Sequence, residues 1–160
     1  MLRILLFNYA LAASGGCLPP DNPPEKPRPV DPDDAALVHD WKVTAHVFPN
    51  STTQDDGDAV RMHGRVVAVH RAGYVTPWHG SCEEATRERE KVDFVDAAAD
   101  ESVGPAARQA ARDAGIARHV TRYRLACKSS TTAPPLVIYV SGTRAMTCFA
   151  EVCYLLARSP

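Results

Sequence analysis

Residues 41–48 read WKVTAHVF, in which Trp41, Val43, Ala45 and Val47 alternate with Lys42, Thr44, His46 and Phe48. Successive side chains of a strand point to opposite faces, so this period of two predicts a β-strand with one buried face. The pattern returns in 119–127, HVTRYRLAC, with Tyr123, Leu125 and Cys127 on one face and Arg122 and Arg124 on the other. Two later runs, Leu136–Val140 and Val152–Ala157, are apolar almost throughout, as strands buried on both faces are.

Working outward from these strands, Pro49 and Asn50 end the first one, and the polar run 51–58 with Asp56-Gly57 predicts a hairpin turn. Ala59–Arg71 then reads as a strand carrying Val66, Val67 and Val69, with Gly64 marking a bulge where the apolar parity shifts. Tyr74–Trp78 is a shorter extended piece. The middle of the chain differs in kind. Glu83–Lys91 is a charge-dense insertion, and 102–115 has helix punctuation, with Ser102 as cap, Pro105 in the first turn and Gly115 as stop. The expected fold class is α+β and mainly antiparallel β: a curved or partly closed sheet of five to seven strands with one or two inserted helices, spanning 35–160.

A chain of 160 residues with 45% hydrophobic and 23% charged residues suits one ordinary domain. The net charge of -1 supplies no positive field, which removes nucleic acid from the expected partners. The N-terminus has Arg3 and then an apolar stretch, Ile4–Ala13, too short for a permanent membrane helix; it reads as a signal peptide over 1–16. Ser14-Gly15-Gly16-Cys17 resembles the lipobox of bacterial lipoproteins, which implies lipid on Cys17, membrane attachment through it, and a periplasm-facing location with the outer membrane as the expected seat. A small-residue cleavage site after Ala12 is the competing reading. In 17–34, prolines at 19, 20, 23, 24, 27, 29 and 32 exclude helix and central strand and predict a polyproline-like tether, about 50 Å long at roughly 3.1 Å per residue.

Of the 5 cysteines, lipid on Cys17 leaves Cys82, Cys127, Cys148 and Cys153, an even set for two disulfides in an oxidising compartment. Three pairings are open. The expected one joins Cys148 to Cys153 across a hairpin and Cys82 to Cys127 between the charged insertion and the sheet.

No constellation for chemistry stands out. The histidines His39, His46, His63, His70, His79 and His119 lack His-x-His or His-x-x-x-His spacing, so no metal and no cofactor is expected. Gln54–Asp58 clusters carboxylates around Gly57 but departs from a calcium-loop register, and a solvated turn is the preferred reading. His79-Gly80-Ser81-Cys82 sets a serine beside a histidine without a nucleophile elbow, and no catalytic residue is assigned.

Tyr139-Val140-Ser141-Gly142-Thr143-Arg144-Ala145 resembles the Tyr-x-x-x-Thr-Lys-Gly loop of periplasmic and membrane-bound lysozyme inhibitors, small β-barrel lipoproteins. Tyr139 and Thr143 agree, with Arg144 in place of lysine and Ala145 in place of glycine. The plan of lipobox, proline tether and disulfide-linked β-domain is also similar to lipocalin-like lipoproteins that act as immunity proteins. These resemblances imply a protein partner, a lysozyme-like hydrolase or a toxin, bound through Tyr139, Ser141, Gly142, Thr143 and Arg144. Ser-Gly is equally ordinary turn chemistry between two core strands. The alternatives are a small-ligand carrier with Trp41, Tyr74, Trp78 and Tyr123 lining a cavity, and a structural envelope lipoprotein.

Overall fold

The structure, a computed structural model, describes residues 34–49, 56–94, 103–130 and 133–160. Residues 1–33, read above as signal peptide, lipid-attachment Cys17 and most of the tether, lie outside them, as do Asn50, residues 51–55 of the polar run and Ser102. The strands are β1 (Asp40–Val47), β2 (Val66–Val69), β3 (Tyr74–Thr76), β4 (Gly80–Cys82), β5 (Ala85–Asp93), β6 (His119–Cys127), β7 (Leu136–Ser141), β8 (Arg144–Phe149) and β9 (Val152–Arg158), with helices α1 (Gly57–Val60) and α2 (Pro105–Asp113). They form one antiparallel sheet in the order β4-β3-β2-β1-β9-β8-β7-β6-β5, curled into a nearly closed barrel.

The mainly antiparallel, curved sheet with two short helices agrees with the sequence reading, but nine strands are present among the described residues where five to seven were expected. Much of the difference lies in the charged segment. Ala85–Asp93 is a strand, paired with β6 over nine residues from Ala85↔Cys127 to Asp93↔His119. Its alternation is of charge against charge: Glu88 and Glu90 lie opposite Arg124 and Arg122, and Arg122 Nη2 reaches Glu90 Oε2 at 2.5 Å. Cross-strand ion pairs replace the apolar signal by which strands are usually recognised. The short β4 and the hairpin strand β8 make up the rest.

Three further expectations are corrected. The chain after Asp56 turns into α1 rather than into a strand, and β2 starts only at Val66. The parity shift sits in β1 and not at Gly64. Thr44 is an extra residue between Val43↔Leu156 and Ala45↔Leu155, and its Oγ1 donates to the Leu155 carbonyl at 3.0 Å. A bulge of this kind bends the strand and swaps its faces. Trp41 and Val43 therefore face the barrel interior, while Ala45 and Val47 pack against the outer face. Helix α2 has Gly104 at its N-cap position, with Pro105 following.

The two faces of the sheet build two cores. Inside the barrel are Leu37, Trp41, Val43, Tyr123, Leu125, Leu136, Ile138, Tyr154 and Leu156, and the Trp41 Nε1 donates to the Leu37 carbonyl at 3.0 Å. Outside, α2 lays Ala107 and Ala111 over Phe94, Val120, Tyr139, Met146 and Leu155. Small alanines let the helix approach the sheet closely.

The cysteines pair as Cys82–Cys127 and Cys148–Cys153. The second bridge lies directly across the β8–β9 hairpin. The first joins β4 to β6, so it fastens one end of the sheet to the other across the barrel seam. A backbone bond from the Ala85 amide to the Ala72 carbonyl at 2.8 Å supports the same closure, and the Lys128 amide, bonded to the Glu84 carbonyl at 2.9 Å, extends the β5–β6 ladder beside it. Arg87 adds to it by pairing with Asp34 at 3.5 Å and donating to the His70 carbonyl.

Candidate functional site

The β7–β8 connection follows from its register. Ser141 pairs with Arg144, leaving Gly142 and Thr143 as a two-residue loop, and Gly142 adopts φ 60°. A positive φ at the first loop position suits glycine and gives a turn whose twist matches the flanking strands. Two contacts fix it. The Ala117 amide donates to Ser141 Oγ at 3.1 Å, tying the hairpin to the chain that leaves α2, and the Arg158 amide donates to the Thr143 carbonyl at 2.9 Å. Gly142, Thr143 and Arg144 are exposed on this rigid tip, with Ser141 half-buried.

Tyr139 has a different role from the one its motif position implied. It is 2% exposed, beneath α2, with its ring 5.3 Å from that of Phe94. Of the five residues expected to bind a partner, the hairpin tip therefore exposes Gly142, Thr143 and Arg144, with Ser141 half-buried beside them. Trp41, Tyr74 and Tyr123, read as possible cavity lining, are packed into the interior core. Trp78 lies partly exposed at the barrel end.

That barrel end was not legible as a unit. His46 stands opposite Tyr154 in the β1–β9 pairing, and its Nδ1 lies 2.9 Å from His63 Nε2. Burial lowers the His46 pKa, the charge of His63 lowers it further, and Asp56 acts in the other direction. Tyr154 is raised by burial and then by Asp58. The β3–β4 turn brings Trp78 over Tyr154 and Phe149, and His79 edge-on to Phe149. The His46–His63 pair is the one grouping among the histidines that sequence spacing could not show, because it joins β1 to the loop after α1. Among the described residues no set of three histidine, cysteine, aspartate or glutamate side chains is arranged to hold a metal ion.

In the His79–Cys82 segment, Cys82 is spent in its disulfide and the His79 ring is turned onto Phe149. No helix among the described residues is long and apolar enough to cross a membrane. Comparison of the chain with protein-family models, with characterised proteins and with solved structures gives no match in any of the three.

Proposed function

We propose that the chain is a lipid-anchored, periplasm-facing binding protein that inhibits or neutralises a protein partner, a lysozyme-like hydrolase or an incoming toxin. The observation that carries this reading is the β7–β8 tip: a tight, glycine-initiated turn, tied to its neighbours on two sides, that exposes Thr143 and the cation of Arg144. A pre-ordered loop loses little entropy on binding, and an arginine can pair bidentately with a carboxylate in an acidic cleft. The lipid on Cys17 and the proline tether of 17–34 would hold the domain near the membrane while letting it reach outward. Using Trp41, Tyr74 and Tyr123 as packed core favours surface recognition over a ligand cavity.

The test is inhibition. The purified protein is titrated into lysozymes of several classes, and dose-dependent loss of activity against at least one class is the expected result. Failure to inhibit any of them removes the lysozyme version of the proposal.

A further inference from the structure

At the opposite end of β8 from the Ser141–Arg144 tip, the β3–β4 turn folds across the barrel. Trp78 lies with its ring nearly parallel to those of Tyr154 and Phe149, at centroid distances of 4.9 and 5.9 Å, and His79 meets Phe149 at 4.5 Å and 85°. The His79 amide donates to Thr76 Oγ1 at 2.8 Å, which folds the turn on itself. The surface beneath is equally tense. Ala150 and Glu151, the loop of the β8–β9 hairpin, both sit at positive φ, 47° and 65°, where side chains are disfavoured, and Cys148–Cys153 staples the strands below them.

Both ring nitrogens of His79, and Nε1 of Trp78, are buried with no hydrogen-bond partner among the described residues. A neutral imidazole can sit against aromatic rings at the cost of an unmade hydrogen bond. An imidazolium carries two donors and a full charge, and burying it unpaired costs far more.

We propose that the Trp78–His79 turn is an acid-operated latch: protonation of His79 drives the turn outward, off Phe149 and Tyr154. Burial lowers the pKa of His79, in keeping with a ring that has no acceptor to receive its second proton. Among the described residues, the titratable groups on the elements around this end are His46 of β1, His63, Asp56 and Asp58 of the α1 region, Glu151 of the β8–β9 turn and Tyr154 of β9. Asp56 and His63 act on His46 and Asp58 acts on Tyr154, whereas burial alone acts on His79. Among the described residues neither ring nitrogen of His79 has a carboxylate or other acceptor at hydrogen-bond distance in the closed position.

The experiment follows tryptophan quenching by acrylamide from pH 7.5 to 5 on the purified protein, with far-ultraviolet circular dichroism to report the fold. Trp41 is buried in the barrel, so a change in quenching reports Trp78. The expected result is a rise in the quenching constant on acidification, with a midpoint below the ordinary imidazole value and an unchanged dichroism spectrum. His79→Gln should remove the rise, and His46→Gln should keep it. Quenching that is flat with pH in the wild type, or a rise that persists in His79→Gln, overturns the proposal. Proton resonance titration of the wild-type His79 ring stands independently of the variants: a pKa at or above the ordinary value also overturns it.

Discussion

Replacing both cysteines of the seam bridge, Cys82→Ala with Cys127→Ala, should destabilise the domain more than replacing Cys148 and Cys153 in the same way. The two bridges close chain segments of very different length, with sequence separations of 45 and 5. If a cross-link acts chiefly by restricting the unfolded chain, the longer closure is worth about 4 kcal/mol and the shorter about 2 kcal/mol. A domain of this size has roughly 5–15 kcal/mol in total, so losing the seam bridge removes a large share and should lower the melting temperature by about 15 °C. The structure adds a reason for the order. Cys82–Cys127 is the covalent link between strands far apart in the sheet order, whereas Cys148 and Cys153 already face each other in a paired hairpin. Urea unfolding of both variants measures the difference, with the free energies extrapolated on the linear model. A seam variant within 1 kcal/mol of the wild type, or a hairpin variant that loses more than the seam variant, would refute the account of how the barrel is closed.

Three other perturbations have expected outcomes. A methyl group on Gly73 would fall 1.8 Å from the Cys82 carbonyl oxygen and 2.8 Å from backbone carbons of Cys82 and Glu83, so Gly73→Ala must push the β2–β3 turn away from the seam; thermal melting should show a loss of about 2 kcal/mol or more. Replacing Ala150-Glu151 with Asn-Gly gives the β8–β9 loop residues that accept positive φ, and should raise stability by about 1 kcal/mol in urea titration. His46 has a folded-state pKa below its unfolded value, so the folded state binds fewer protons; its contribution is present above the ordinary imidazole value and is lost as pH falls through that value toward the folded one. Melting curves from pH 7.5 to 5 should therefore show a smaller acid-side loss in His46→Gln than in the wild type.

What the chain reveals on inspection follows from which interactions leave a sequence signature. β6 is read at its full length because apolar and basic residues alternate across it, and β7 and β9 because both faces are buried. β5 is hidden because its partners on β6 satisfy charge with charge, and the Thr44 bulge is hidden because a parity swap reads as continued alternation when both faces of the sheet are covered. At the β7–β8 tip, Gly142 announces the turn, yet nothing in seven residues distinguishes a buried Tyr139 from an exposed one; that depends on α2, which comes from elsewhere in the chain. The aromatic barrel end draws on β1, α1, β3–β4 and β8–β9, whose residues are too far apart in sequence for any spacing rule to join them.

The central claim is that Arg144, on its rigid tip, carries much of the recognition of a protein partner. Its most direct test compares wild type with Arg144→Ala in the lysozyme inhibition assay, with the melting temperature of each measured alongside. Truncating one member of a hydrogen-bonded charge pair buried at an interface costs about 2–5 kcal/mol, which weakens inhibition by roughly tenfold or far more, whereas an exposed side chain changes stability by only about 0.5 kcal/mol. The account predicts inhibition by the wild type, its loss in Arg144→Ala and unchanged melting; equal inhibition by both proteins would contradict it.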